Sequence, residues 1–157
     1  EALEWAKAGG YMDITSGVSP ASGSADAVKP SKAIRRAIDS GVPLKRILMS
    51  SDGNGSVPVF DEEGNTIGVG VANQKSMLTE IQDAVLEEKI SLSDAVQIVS
   101  TNVASAYKLK NKGNIMVGFD ADLVVLDKDL AIQQVWAKGQ LMVENGDPIV
   151  FGTFENL

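Results

Sequence analysis

The chain has neither cysteine nor histidine among its 157 residues. Without cysteine there is no disulfide framework and no thiolate metal site, which is compatible with a reducing compartment, so the cytoplasm is the expected location. Without histidine a nucleophilic serine has no ordinary base, and a metal would find only carboxylates. Basic residues are scarce as well: 14 Lys and Arg stand against 21 Asp and Glu, a net charge of -7. They form no block, which argues against nucleic acid or an anionic membrane surface as partner. No apolar run is long enough to span a bilayer. The opening residues Glu1-Ala-Leu-Glu4 have no start methionine and no signal-peptide form, so the chain is expected to begin within a longer protein. There is no phosphate loop and no dinucleotide fingerprint, since Gly9-Gly10 precedes a strand rather than following one.

What is present suffices for one ordinary core with a small addition: 44% of the residues are apolar and 22% charged. Glu1 to Ala8 reads as the end of a helix with Leu3 and Trp5 available for burial and Gly9-Gly10 as its stop. Tyr11 to Thr15 reads as a strand, and Ser16 to Lys29, rich in Ser, Gly and Ala, as the loop after it. Pro30 can open a helix carrying Ile34, Ala37 and Ile38, closed by Gly41 and Pro43. A buried strand ends at Asp52, a hairpin-like excursion turns at Gly64-Asn65, and a helix over 76–88 places Met77, Ile81, Ala84 and Val85 on one face. Ser91 or Ser93 can cap the next helix, and Asn102 a continuation toward Leu109. Strand and helix thus alternate through residues 1–110, predicting parallel βα units of an α/β fold. At about 110 to 114 the period changes, and residues 111–157 predict a small antiparallel unit: Asp122–Leu126, Ile132–Ala137, a Lys138-Gly139 turn, Gln140–Glu144 and an Asn145-Gly146 turn.

The stretch most suggestive of chemistry is Arg46-Ile-Leu-Met-Ser-Ser-Asp52-Gly-Asn-Gly-Ser56, an apolar strand that delivers one carboxylate onto a glycine-rich loop. Two readings are open. Asp-Gly and Asn-Gly are turn-forming pairs, and the segment could be two overlapping turns and nothing more. Alternatively Asp52 sits at the mouth of a parallel sheet, where α/β folds place their sites, with Gly53 and Gly55 admitting a ligand close to the backbone and Ser56 adding a hydroxyl. Asp61, Glu62 and Glu63 lack the spacing of a calcium loop and read as a solvated hairpin tip. Asp120 and Asp122 read as turn residues facing solvent.

Gly113-Asn-Ile-Met-Val-Gly118-Phe-Asp-Ala-Asp-Leu-Val-Val-Leu-Asp127, followed by Val135 to Val143, resembles the C-terminal end of amidohydrolase-superfamily enzymes. The finer pattern, Ser50-Ser-Asp-Gly-Asn-Gly-Ser56 with Asp13-Ile-Thr-Ser16 before it and Gly152-Thr-Phe-Glu155 at the end, is similar to the isoaspartyl (β-aspartyl) dipeptidases of that superfamily. The resemblance implies the last strands and helices of a metal-dependent (β/α)8 barrel over 1–110, then part of a small β-sandwich over 111–157. It implies a binuclear zinc site, a β-aspartyl dipeptide as small-molecule substrate, and homo-oligomers of the intact enzyme. Asp52 matches the aspartate ending the eighth barrel strand, a metal ligand that moves the proton during hydrolysis, and Ser56 matches a substrate-contacting serine. The family's metal-binding histidines and carbamylated lysine match nothing in this chain, so by itself it is expected to be inactive and to retain no zinc. A dihydroorotase, hydantoinase or deacetylase relative, or a non-catalytic interaction module on a degenerate barrel, are the alternatives.

Overall fold

The computed structural model describes residues 1–18, 27–61 and 63–153, which fall into two compact units, Glu1–Lys108 and Leu109–Leu157. Residues 19–26, 62 and 154–157, on which some of the sequence expectations fall, lie outside the described residues.

The first unit is built on one βαβ crossover. Strand β1 (Met12–Thr15) pairs in parallel with β2 (Ile47–Ser50), with Met12 opposite Ile47 and Thr15 opposite Ser50. The Ser16 amide donates to the Ser50 carbonyl at 2.8 Å and carries the ladder one residue further. Between the strands runs helix α2 (Pro30–Asp39). Pro30 occupies its first turn, where a missing N–H costs nothing, and Gly41, at φ 83, ends it. Helix α1 (Ala2–Lys7) precedes β1, and α3 (Ser76–Leu86), α4 (Leu92–Val99) and α5 (Thr101–Ala106) follow β2. Ile34, Ala37, Ile47, Met49, Ile81, Ala84, Ala95 and Ile98 form the core, each large aliphatic side chain contributing about 1.5–3 kcal/mol by leaving water.

Polar contacts fix how these helices meet. The Lys29 side chain does not cap α2; instead the buried Glu80 carboxylate of α3 accepts from the Ser31 amide at 2.8 Å. Lys29 reaches Asp83 at 2.8 Å and Glu87 at 3.1 Å, and the bond to Asp83, more than any other contact, holds its ammonium above the ordinary lysine range. The Ser91 hydroxyl caps α4 by accepting from the Asp94 amide at 3.1 Å, as its position predicts.

Three expectations are corrected. Trp5 is 65% exposed, because Ala6 takes the inward position of α1, and the indole lies over Gly10, where a Cβ would sit 2.0 Å from Nε1. Asn102 does not cap a helix; it lies inside α5, buried, donating from Nδ2 to the carbonyls of Leu44 at 2.8 Å and Ile47 at 3.0 Å. It thereby supplies a donor to the chain entering β2, a long-range duty that local patterning does not reveal. The helix expected over 76–88 closes at Leu86, with Glu87 as its cap.

The excursion after Asp52 is an antiparallel hairpin of β3 (Ser56–Phe60) and β4 (Thr66–Val71), with a register shift between Val59 and Phe60. At its tip the Asp61 carboxylate accepts the Asn65 amide at 2.7 Å and the Asn65 side chain at 3.1 Å, bonds that lower its pKa.

The second unit is a four-stranded meander of β5 (Leu123–Leu126), β6 (Ile132–Ala137), β7 (Gln140–Glu144) and β8 (Asp147–Pro148). Both predicted two-residue turns form, with Lys138-Gly139 at φ 49 and 80 and Asn145-Gly146 at φ 55 and 85, the left-handed pairs that match strand twist. Asp120 and Asp122 are not simply solvated. Lys112 bridges them, at 2.8 Å to Asp120, and Asp122 also accepts the Lys138 amide at 2.8 Å. Asp127 accepts the amides of Asp129 and Ala131, both at 2.9 Å.

Candidate active site

Because side chains alternate along a strand, β1 and β2 present two different faces. Met12, Ile14, Ile47 and Met49 belong to the core with the helices. Asp13, Thr15, Leu48 and Ser50 take the other face, and there the Ser50 hydroxyl donates to Asp13 Oδ2 at 2.6 Å. Asp13 enters the sequence only within a matching motif; its one signal is a carboxylate in the middle of an apolar strand.

Asp52 follows this face by two residues and is exposed. Its φ of 48 places it in the left-handed region, a conformation that costs an L-residue about 1–2 kcal/mol and that Asp and Asn adopt more readily than most. Asn54 is left-handed too, at φ 65. The turn is made by main chain: the Gly55 amide donates to the Asp52 carbonyl at 2.8 Å, and the Gly53 amide donates to Ser51 Oγ at 3.0 Å. Among the described residues the Asp52 carboxylate itself has no hydrogen-bond or ion-pair partner. The turn reading therefore accounts for the backbone of residue 52 and leaves its side chain without a structural task.

The other residues singled out lie in the same loop. Ser56 opens β3 and is exposed. Gly55 is glycine for the turn, since a Cβ there would lie 2.8 Å from the Asp52 carbonyl oxygen. The loop is closed at its base by β4's return, where the Asn54 amide donates to the Ala72 carbonyl at 3.1 Å and the Ala72 amide to the Gly55 carbonyl at 2.8 Å. Just beyond, Ser16 and Ser76 share a hydrogen bond of 2.8 Å that joins the end of β1 to the start of α3.

An acceptor-only carboxylate with free oxygens suits one metal position or the handling of a proton. It does not make a metal centre alone, and among the described residues no group of three or more Asp or Glu is gathered to complete one.

Residues 16–142 match the amidohydrolase family. The chain belongs to that family. Its parallel strands and flanking helices are those of a partial amidohydrolase barrel, and members of the superfamily generally use a metal centre. Among solved structures, the β-aspartyl dipeptidase of Fervidobacterium islandicum AW-1, in complex with a β-Asp-Leu dipeptide, is 33% identical with a TM-score of 0.78, covering 96% of this amidohydrolase chain and 38% of that one. An N-acetylglucosamine-6-phosphate deacetylase of Lysinibacillus sphaericus is 33% identical over 70 residues, 45% of this chain and 16% of that protein. An adenine deaminase of Halalkalibacterium halodurans is 41% identical over 58 residues, 36% of this chain and 10% of that protein. The chain thus spans well under half the length of each of these relatives. No helix among the described residues is long and apolar enough to cross a membrane.

Proposed function

We propose that this chain is the C-terminal portion of a cytoplasmic, zinc-dependent dipeptidase that hydrolyses β-aspartyl dipeptides, with 1–110 supplying the closing strands of the barrel and 111–157 part of a β-sandwich. The observation that carries the reading is the likeness to the Fervidobacterium enzyme, which covers nearly the whole chain and so takes in both units. The Asp52 side chain, exposed and without a partner among the described residues, two residues beyond a buried parallel strand, supports it. In this reading Asp52 holds one metal oxygen-donor position, takes the proton of the attacking water and passes it to the departing amine. A bound binuclear centre supplies the acidity that makes water nucleophilic at neutral pH. Ser56 donates to a carboxylate of the dipeptide, and the remaining ligands come from sequence outside this chain.

The matches to a deacetylase and an adenine deaminase favour a second reading, an amidohydrolase of different substrate. Assaying the full-length protein on β-Asp-Leu, N-acetylglucosamine-6-phosphate and adenine separates them. Turnover of β-Asp-Leu alone is expected; turnover of either other compound with none of the dipeptide would replace the dipeptidase reading.

A further inference from the structure

Gly53 is one residue from Asp52 yet is not among the left-handed glycines, so no left-handed backbone demands glycine there. The nearest atoms that a side chain there would meet belong to Gln74, an exposed residue. A Cβ on Gly53 would lie 2.3 Å from Gln74 Cγ, with Gln74 Nε2 and Ser51 Oγ each at 3.0 Å. Gln74 stands two residues after Ala72, which closes the loop at its base, and among the described residues its carboxamide has no hydrogen-bond partner. Its aliphatic stem is thus laid across the loop residue next to Asp52, one that carries no side chain.

We propose that Gln74 is a positioning residue for Asp52, and that residue 53 is glycine to admit the Gln74 stem rather than to make room for substrate. The inference rests on the reading of Asp52 as the reacting carboxylate. Asp52 and Asn54 both occupy the left-handed region, so the loop has relaxed conformations available in which the Asp52 side chain points elsewhere. The Ser51 hydroxyl holds the Gly53 amide, and the Gln74 stem occupies the space where a Cβ of residue 53 would stand. Displacing the stem frees residue 53, and with it the dihedral angles that aim the carboxylate.

A double-variant cycle tests this with G53A, Q74A and G53A/Q74A. In this chain the readout is hydrogen exchange of the Gly55 amide, which reports the turn closed on Asp52. In the full-length protein it is kcat and KM for β-Asp-Leu. Either single substitution is expected to speed exchange about tenfold and to lower kcat about tenfold with KM within about twofold, as misplacement of a reacting group does. The double variant is expected to be no worse than either single, because the methyl group added by G53A acts by expelling the Gln74 stem. Effects that multiply in the double variant, or a Q74A protein with unchanged exchange and kcat, would overturn the proposal. A wild-type protein with no action on β-Asp-Leu would remove the dipeptidase reading, while the exchange cycle would still decide whether Gln74 holds the loop.

Discussion

Asp52 of the first unit uses its carboxylate differently from the turn-forming aspartates of the second, although Asp61 in the first unit closes a turn as they do. In Leu109–Leu157, Asp122 joins Lys112 to the Lys138 turn and Asp127 closes its own turn with two main-chain amides. In Glu1–Lys108, Asp52 occupies a left-handed backbone position and its carboxylate bonds to nothing among the described residues. Acids that organise turns are explained by folding; one that carries backbone strain without doing so calls for another reason. The units also differ in how they are held together. The first has a core of fully buried Ile34, Ile47 and Ile98, whereas Val124 and Val125 of the second remain exposed on both faces of β5.

The contrast can be pressed hardest at the core. Ile98→Ala should destabilise the first unit by about 2–5 kcal/mol, since the residue is fully buried between packed helices; urea unfolding followed by tryptophan and amide signals reads this directly. Asn102→Ala comes next, at about 1–3 kcal/mol, because the Leu44 and Ile47 carbonyls lose their donor in a buried place. A loss below the uncertainty of the same urea experiment would mean that water replaces the amide. A smaller effect, present at neutral pH and fading in acid, is expected at Asp122. Lys112 foremost, and then the Lys138 amide, hold its pKa below the ordinary value. Its contribution is therefore fully present above the unfolded pKa of about 4 and is lost as pH falls through the folded value. Asp122→Asn should flatten that part of the stability profile in a series of melts from neutral to acid pH; an unchanged profile would show the ion pair to be inert. Smallest of all, Val124→Ala, at a residue 57% exposed, should stay within about 0.5 kcal/mol in this chain. A cost rivalling that of Ile98→Ala would erase the contrast between the units.

Where local chemistry decides the structure, the sequence is enough to read it. Pro30 and Gly41 bracket α2, Ser91 caps α4, and the two glycine-containing pairs set the hairpins of the meander. Asp52 is legible for the same reason, as an acid that ends an apolar strand. The features that escape such reading depend on partners far along the chain. Asn102 looks like a helix cap until its 55-residue reach to Ile47 is known, and Trp5 looks buried until Ala6 is seen to take the inward place. The neighbour of Gly53 is of this kind too, since Gln74 is supplied by the return of a hairpin. The hairpin itself is legible from its Gly64-Asn65 turn, but the outward set of its side chains is not: Ile67, Val69 and Val71 alternate as a buried strand would and yet remain exposed.

The central claim is that Asp52 is retained for reaction and not for folding. Kinetics of β-Asp-Leu hydrolysis by the full-length protein and its Asp52→Asn variant test it most directly, with thermal unfolding measured on the same samples. Asparagine accepts the left-handed backbone equally well, so the melting temperature should hold while kcat/KM falls about 10²- to 10⁴-fold. A variant that keeps its activity, or one that loses activity only in proportion to lost folded protein, would contradict the account.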